Sequence, residues 1–404
     1  AVCSPTRASV ITGRNPLRMN IPNANSGHMP EEEITLAEIL SGAGYQTAFY
    51  GKWHLGTLTK NTLDANRGGQ DKFAAHYSIP SMHGYDQFFC TESKVPTCDP
   101  MLKPVEFDQG ESLRFGWKAE ANQEASSSYG TAYWVGPELR DTINLEGDDS
   151  RVIMDRVIPF IKGAAEEGDP FFTTVWFHTP HLPVVADADF RSLYDTASLE
   201  EQIYFGTISA MDEQVGRLWS TLEKLGIQEE TLIWFCSDNG PENGTPGSTG
   251  GFRERKRSLY EGGVRVPAFV VWKHMLNSHT RLNFPAVTSD YLPTILDILD
   301  LELADDRPLD GESILGMLNG SQEKRERGIG FIYREKISWV NTSHKLISTD
   351  GGKSFELYDL ISDREEGINI MDKEPSIADA MTKELYVWME SVEASAAGFD
   401  YFTD

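Results

Sequence analysis

Cysteine is scarce in this chain, and basic residues are few relative to acidic ones. Four cysteines among 404 residues are too few for a fold built on disulfides. The 36 lysines and arginines face 62 aspartates and glutamates, which gives a formal net charge of −26. This charge argues against nucleic acid as a partner, because phosphate binding needs a basic surface. No apolar run approaches the roughly 20 residues of a membrane helix, so we expect no membrane-spanning segment.

The cysteine positions also limit the possible metal sites. No spacing of cysteines and histidines resembles a zinc site. Cys90 and Cys98 lie in one loop-like stretch, and pairing between them stays open if the protein is exported. Cys236 lies within an apolar strand pattern, which favours a small core residue.

Hydrophobic periodicity alternates between helical and strand patterns along most of the chain. A long amphipathic helix is predicted over 198–225. The residues on its apolar side are Ile203, Ile208, Met211, Val215, Leu218, Leu222 and Leu225. Apolar strand patterns, predicted to be buried, cover residues 171–177, 231–237 and 267–272, and a shorter strand covers 45–50. This alternation predicts an α/β fold.

Polar residues follow three of these strand patterns. Lys52, His178 and Asp238 come just after strands. Because ligands bind at the carboxyl ends of strands in α/β sheets, we expect these side chains at one edge of the sheet.

The pattern changes beyond residue 320. Short alternating segments at 330–335, 337–340, 345–348 and 355–360 precede a final helix near 376–396. We therefore expect two domains, a catalytic domain over 1–320 and an α+β subdomain over 321–404 with a small antiparallel sheet and a terminal helix. Residues 57–150 have little periodicity and predict long loops with short elements.

The first residues carry a distinctive motif. Cys3-Ser4-Pro5-Thr6-Arg7 has the form C-x-P-x-R, and residues 3–14 indicate a turn that enters a helix. Ser4 suits the N-cap and Pro5 the first turn. The N-terminus of such a helix would point free amides at an anion.

Further motifs follow C-x-P-x-R along the chain. They are GKWHLG at 51–56, FHTPHLP at 177–183, SDNG at 237–240, KRSLYEGGVRVP at 256–267 and ELYDL at 356–360. In this order the motifs resemble the sulfatase family of the alkaline-phosphatase superfamily. The resemblance implies a sandwich in which a large mixed sheet lies between helices.

The resemblance implies a chemical role for position 3. Cys3 would be oxidised to formylglycine by a formylglycine-generating enzyme, and its hydrate would bind a metal and attack sulfur. Arg7 would hold that hydrate. Asp238 and Asn239 would be metal ligands, and oxygen ligation suits Ca²⁺ or Mg²⁺.

It also implies roles for the cationic residues. Lys52 and Lys256 would bind sulfate oxygens. His54 would take a proton from the hydrate. His181 would contact sulfate and donate to the leaving oxygen. An anion with a poor leaving group needs these functions, namely charge neutralisation, a nucleophile and an acid.

Each of these residues also has a structural interpretation. Lys52 and Lys256 could be solvated surface lysines. His54 and His181 could be satisfied structural histidines, an interpretation that suits His178 best. The sequence Asp-Asn-Gly at 238–240 is by itself a turn pattern.

The aromatic and glycine-rich stretches stay open in the same way. Glu261-Gly262-Gly263 favours a structural role, with glycines for tight backbone geometry. Trp117, Tyr133 and Trp134 could stack on a sugar or pack in the core.

The resemblance implies an upstream strand that ends in two metal-binding aspartates. Asp148-Asp149 and Asp305-Asp306 lie too far downstream for that role. We therefore expect the chain to be N-terminally incomplete, with its first strand and about half of a metal shell missing, and to be poorly active on its own.

Three functions remain open. The first is hydrolysis of sulfate monoesters, on sulfated carbohydrates or another sulfated small molecule. The second is a phosphonate or phosphate ester hydrolase of the same superfamily. The third is an inactive chain that only binds sulfated glycans. The resemblance implies a periplasmic or extracellular location.

Overall fold

A computed structural model describes residues 2–104, 125–276 and 280–401. Contacts group the chain into two compact units. The terminal unit comprises Ala1–Leu36, Leu232–Pro241 and Ser248–Asp404, and the middle unit comprises Ala37–Thr231 and Glu242–Gly247. The two chain ends thus share one unit, a grouping that differs from a boundary at residue 320, and that boundary stays a prediction.

The elements are numbered in chain order. The helices are α1 (Cys3–Thr12), α2 (Leu36–Gly42), α3 (Asp149–Glu167), α4 (Ala188–Ser192), α5 (Leu199–Leu225), α6 (Glu261–Val264), α7 (Tyr291–Leu299), α8 (Leu315–Leu318) and α9 (Pro375–Ala396). The strands are β1 (Gln46–Lys52), β2 (Gln87–Thr91), β3 (Leu102–Pro104), β4 (Ala125–Ser128), β5 (Tyr133–Gly136), β6 (Leu139–Asp141), β7 (Phe171–Trp176), β8 (Ile233–Cys236), β9 (Ala268–Val271), β10 (Ile329–Tyr333), β11 (Lys336–Val340), β12 (His344–Ser348) and β13 (Glu356–Asp359). No described helix is both long enough and apolar enough to cross a bilayer.

The middle unit contains a mixed five-stranded sheet in the order β6-β5-β2-β1-β7. Strand β1 runs parallel to both β2 and β7, whereas β5 is antiparallel to β2 and β6. The ring of Phe49 on β1 packs edge-on against Trp53, Tyr85 and Trp176, with centroid distances of 5.0–5.4 Å. This mixed sheet agrees with the predicted α/β class.

Strand β7 is less buried than its sequence predicts. Its apolar run predicted a fully buried strand, but only Thr174 is buried and the other five residues are half-exposed. The reason is position, because β7 is the last strand in the order of this sheet among the described residues.

Helix α5 is bounded as predicted, and its buried face matches the prediction only in part. Ser198 caps it in a reciprocal capping box with Glu201, and Gly226 ends it with φ 72°. The fully buried positions on its long face include Thr207, Ala210 and Gln214. Of the predicted apolar positions, Ile203 and Leu222 are buried, whereas Met211, Val215 and Leu218 are half-buried.

The two aromatic residues on β5 pack in the interior. Tyr133 and Trp134 are almost completely buried, so they contribute to packing rather than to an exposed sugar platform. Trp117 lies outside the described residues.

The end of the chain folds as the sequence predicts. Strands β10 to β13 form a four-stranded antiparallel sheet in chain order. Helix α9 packs on it, with Met381 and Leu385 against Trp339 and Leu357.

Strands β8 and β9 form an antiparallel pair in the terminal unit. The rings of Phe235 and Phe269 stack across the pair at 4.8 Å. Both strands were predicted to be buried, which is wrong, because all four β8 residues are half-exposed and Phe269 is 44% exposed.

The terminal unit also holds several of its cations in buried ion pairs. Their side chains have at most about a tenth of their surface exposed. The pairs are Arg14–Glu33 at 3.0 Å, Arg18–Asp310 at 2.7 Å, Arg325–Asp290 at 2.7 Å, and Lys345 with Glu261 at 2.8 Å and with Glu366 at 2.9 Å.

The four cysteines form no disulfide with one another. Cys90 and Cys98 are buried and do not pair, which answers the question that the sequence left open. Burial is the main cause that raises the pKa of both thiols, so both stay protonated at neutral pH.

Candidate active site

Helix α1 presents the C-x-P-x-R motif. It begins at Cys3, with the extended Val2 as its N-cap, so Ser4 lies inside the helix and not at its cap. Pro5 lies in the first turn, as expected. Because residues four apart share a helix face, Cys3 and Arg7 lie on the same side, and both are buried.

The turn after β8 lies against that helix face. The Arg7 Nη2 to Asp238 Oδ2 distance is 3.6 Å, and the Cys3 Sγ to Asn239 Oδ1 distance is 4.0 Å. Thr6 Oγ1 donates to the Asp238 carbonyl at 2.8 Å. The structure therefore brings together the four residues that the sequence assigned to the nucleophile and the metal.

This donor set partly fits a hard cation. Asp238 and Asn239 offer a carboxylate and an amide oxygen beside residue 3, which is the chemistry that Ca²⁺ and Mg²⁺ prefer. Within the described residues, no three His, Cys, Asp or Glu side chains converge on a metal position. The two oxygens are fewer than the roughly six to eight that Ca²⁺ takes.

Lys256 lies next to the same turn. Its backbone N–H donates to the Pro241 carbonyl at 3.2 Å, and its side chain is buried rather than solvated. The turn itself rests on the glycine pair that follows. Gly240 N–H donates to the Gly263 carbonyl at 3.0 Å, and a Cβ on Gly240 would lie 2.0 Å from the Gly262 oxygen. The structural role expected for these glycines is thus what the structure shows.

In the middle unit, Lys52 ends strand β1 and is only 1% exposed. The surface interpretation of this lysine is therefore wrong. The preceding Gly51 has φ +97°, and a Cβ there would lie 2.0 Å from the Trp176 oxygen on β7. Only glycine allows β1 to reach Lys52 while it pairs with β7.

His54 is buried and is fixed by the residues that follow β2. Its backbone has φ +59°, in the left-handed region, and its N–H donates to the Glu92 carbonyl at 2.9 Å. Its Nε2 lies 3.3 Å from Ser93 Oγ. Sequence analysis missed Ser93. A strand assignment at 87–91 next to β1 would have indicated it, since the ends of neighbouring parallel strands lie side by side.

The FHTPHLP segment carries two histidines with different surroundings. His178 is completely buried, with Nδ1 2.7 Å from Asp149 Oδ2 and Nε2 2.8 Å from Thr91 Oγ1. It is therefore a structural, hydrogen-bonded histidine, as expected. His181 is half-buried, and its Nδ1 lies 2.9 Å from the Leu182 carbonyl. Because a carbonyl only accepts, Nδ1 carries the hydrogen in the neutral ring, and Nε2 is the atom that exchanges a proton.

The predicted residues thus form two groups. Cys3, Arg7, Asp238, Asn239 and Lys256 belong to the terminal unit. The other three belong to the middle unit, and they are Lys52, His54 and His181.

Known proteins resemble this chain in sequence. A family model described as Sulfatase matches residues 1–301. The mouse steryl-sulfatase is 28% identical over an alignment 408 residues long, gaps included. The alignment covers 85% of this chain and 62% of that protein. Human arylsulfatase A is 30% identical over 343 residues, which cover 82% of this chain and 61% of that protein. The chain therefore spans about three fifths of the length of these relatives.

Solved structures share the fold. The structure of Ps i-CgsB in complex with k-i-k-neocarrahexaose has a TM-score of 0.78 at 20% identity, covering 96% of this chain and 82% of that chain. A protein solved in complex with its substrate, D-glucosamine-2-N,6-O-disulfate, has a TM-score of 0.68 at 16% identity. The match covers 97% of this chain and 89% of that chain. The phosphonate monoester hydrolase of Agrobacterium radiobacter has a TM-score of 0.62 at 17% identity, covering 98% and 87%. These likenesses confirm the predicted α/β fold.

Proposed function

Because this chain belongs to the sulfatase family, we propose that it hydrolyses sulfate monoesters with a formylglycine derived from Cys3 and a divalent metal. One observation carries the proposal. Cys3 begins a helix, Arg7 lies one turn further on, and the side chains of Asp238 and Asn239 lie against the two. This arrangement suits a nucleophile that needs cationic and metal-binding partners.

Formylglycine and a divalent metal would supply the chemistry at position 3. Formylglycine supplies a hydrated aldehyde as nucleophile, and a bound Ca²⁺ or Mg²⁺ lowers the pKa of an oxygen that it holds. Asp238 and Asn239 would hold the metal, because the Asn239 oxygen lies 4.0 Å from Cys3 Sγ and the Asp238 carboxylate lies beside Arg7 on the same helix face. Arg7 would hold the modified side chain through its guanidinium, which is buried and directed at the same carboxylate.

Lys52 and Lys256 bind the sulfate oxygens. A protein with a net charge of −26 repels anions in general, so its binding pocket must concentrate positive charge locally. Both ammonium groups are on nearly buried side chains, where a charge acts more strongly than in water. Two such cations neutralise charge that develops on the nonbridging oxygens.

The two histidines move protons. His181 exchanges its proton at Nε2, which fits the delivery of a hydrogen to the leaving oxygen. His54 acts as the base that takes a proton from the hydrate, and Ser93 Oγ lies 3.3 Å from its Nε2. A pair of histidines with opposite tasks suits acid–base chemistry near neutral pH.

The substrates we propose are sulfated carbohydrates. Support comes from the structural neighbours whose titles name a neocarrahexaose and a disulfated glucosamine. Maturation requires a formylglycine-generating enzyme as a partner, and a periplasmic or extracellular location fits sulfated polysaccharides as substrates.

A second candidate is hydrolysis of phosphonate or phosphate esters. It is favoured by the fold shared with a phosphonate monoester hydrolase. The same cationic residues would serve a phosphoryl anion equally well, so the geometry of the described residues gives no preference.

Parallel assays on esters of one phenol test the proposal. The matured protein, co-expressed with a formylglycine-generating enzyme and supplied with Ca²⁺ or Mg²⁺, is assayed on the aryl sulfate, phosphate and phosphonate. We expect the highest kcat/KM on the sulfate and no turnover by Cys3→Ala at unchanged thermal stability. A higher value on the phosphorus esters favours the second candidate. Binding of a sulfated oligosaccharide without any turnover favours a protein that only binds glycans.

A further inference from the structure

In the middle unit, buried hydrogen bonds connect Asp149, His178 and Thr91, and these three residues are called the link. The link reaches the segments that carry His54 and His181. Asp149, at the first position of α3, and His178 are both fully buried and are 2.7 Å apart. The far side of the His178 ring meets Thr91 Oγ1 at 2.8 Å. Tyr133 donates its hydroxyl to the other carboxylate oxygen of Asp149. The proposed mechanism uses none of these four side chains.

The directions of these hydrogen bonds follow from donor and acceptor rules. Thr91 Oγ1 lies 2.7 Å from the Ser93 carbonyl, which can only accept, so the single hydroxyl hydrogen of Thr91 points to Ser93. Thr91 Oγ1 must then accept from His178, and Nε2 therefore carries a hydrogen. A second hydrogen lies between His178 Nδ1 and Asp149. Thr91 Oγ1 and His178 Nε2 thus each have one assigned role.

The link reaches both histidines of the proposed mechanism. Through Thr91 it fixes the backbone of Ser93, whose hydroxyl lies 3.3 Å from His54 Nε2. Through the backbone of His178 it fixes the segment that carries the second histidine, because the His178 carbonyl accepts the N–H of His181 at 2.7 Å. His178 therefore connects to both histidines: its ring contacts Thr91, which holds the Ser93 backbone, and its backbone carbonyl accepts directly from His181.

We infer that Asp149, His178 and Thr91 are positioning residues that hold His54 and His181 in their working orientations. The inference rests on the proposed function only in assigning proton transfer to these two histidines. The orientation of a proton-transferring ring affects rate more than substrate binding, because it changes the alignment in the transition state.

Thr91→Val tests the link with an isosteric change. It removes the hydroxyl, so the Ser93 carbonyl and His178 Nε2 lose their shared partner, while the Asp149–His178 contact stays. We expect kcat to fall by ~10–10²-fold with little change in KM, since small misplacements of reacting groups have effects of that size. The pH profile of kcat/KM and the NMR titration of isotope-labelled His54 should both shift.

Two matched variants separate positioning from a merely structural role. Thr174→Val removes a buried hydroxyl of the same unit, one that bonds to Tyr85 at 2.9 Å and not to the link. Tyr133→Phe removes one hydrogen bond to Asp149 but leaves its contact with His178. Both should lower thermal stability as Thr91→Val does, but leave the pH profile and the His54 titration unchanged.

Variants at Asp149 extend the test to the other histidine. Asp149→Ala should shift the NMR titrations of both His54 and His181. Asp149→Asn should restore them, because an amide donates to His178 Nδ1 while its oxygen accepts from Tyr133. If Asp149→Ala does not fold, Thr91→Val and Asp149→Asn still decide the question.

The outcomes are distinct. If Thr91→Val matches Thr174→Val in pH profile and in the His54 titration, the link is only structural and the inference is wrong. An Asp149→Asn protein with neither titration restored would also overturn it. A wild-type protein without sulfate ester turnover, in which the titrations respond as expected, would refute the proposed function and leave the positioning role standing.

Discussion

Lys345→Met should destabilise the protein strongly, because Lys345 lies between two buried carboxylates. Its Nζ is 2.8 Å from Glu261 Oε1 and 2.9 Å from Glu366 Oε1. Glu366 also accepts the Glu261 N–H at 2.6 Å, so the carboxylates stay close together without the lysine. Methionine keeps most of the volume but leaves two like charges with little access to water.

The magnitude follows from the burial of this cluster. Removing one partner of a buried ion pair costs roughly 3–5 kcal/mol, because the remaining charge is buried and uncompensated. At about 2–4 °C per kcal/mol for a unit of this size, the midpoint of thermal unfolding should fall by on the order of 10 °C. Lys336→Met is the matched control, since Lys336 Nζ donates to the Arg257 carbonyl at an exposed site. That control should change stability by less than about 0.5 kcal/mol.

The loss should depend on pH. Burial raises the pKa of Glu366 in the folded protein, and Lys345 counteracts this effect. A carboxyl with a raised pKa stabilises the folded state below its unfolded pKa and loses that contribution as the pH rises through the folded pKa. Without the lysine the folded pKa rises further, so the deficit of Lys345→Met should be larger at pH 8 than at pH 5.

Urea unfolding of both variants and the wild type at pH 5 and pH 8 measures the difference. A deficit below about 1 kcal/mol at pH 8 would show that water or a rearrangement compensates the carboxylates, in conflict with the cost of an uncompensated buried charge. A deficit that is equal at the two pH values would contradict the role assigned to Glu366.

Three further predictions concern the candidate site. In protein matured with a formylglycine-generating enzyme, mass spectrometry should find the aldehyde in the peptide that carries Cys3, and an unmodified thiol in an active preparation would exclude it as the nucleophile. Alanine at Lys52, His181 or Lys256 should lower kcat/KM by ~10²–10³-fold. Losses below tenfold at all three positions would place the sulfate pocket elsewhere. Gly51→Ala should lower the melting temperature, because its Cβ would meet the Trp176 oxygen at 2.0 Å. Gly163→Ala, in α3 with open space around it, should raise stability slightly, and equal effects of the two would contradict the steric argument.

Local patterns predicted helices α1, α5 and α9 and several of the strands, but they did not predict strand β2. Helix α5 begins and ends where a capping serine and a terminal glycine predict, because caps are local hydrogen-bonding devices. Its buried face was predicted less well. Burial depends on the partner helices. Helix α5 packs on both α3 and α4, and its buried positions include small and polar residues such as Ala210 and Thr207.

The burial of the strands is a second property that the sequence did not predict. An apolar run predicts a buried strand only if the strand has neighbours on both sides. Strand β7 ends its sheet and β8 pairs with β9, so both are half-exposed despite their composition. Strand order is a long-range property that a single sequence does not contain.

The site residues also divide into those that sequence motifs predicted and those that only long-range contacts bring to the site. Cys3, Arg7, Asp238 and Asn239 were predicted from motifs, and the structure places them in mutual contact. Ser93, Thr91 and Asp149 carry no motif, and their relation to the histidines arises from the pairing of β1 with β2 and from the position of α3.

The buried ion pairs of the terminal unit have a consequence for ionic strength. The protein carries 26 more negative than positive charges, and this surface repels itself. Added salt screens charges that face water over about 10 Å at 0.1 M, but it reaches buried pairs such as Arg325–Asp290 far less. Salt therefore relieves the repulsion without weakening the internal pairs. The protein should become more stable as salt is added, which would suit the proposed substrates, since sulfated polysaccharides carry many counterions.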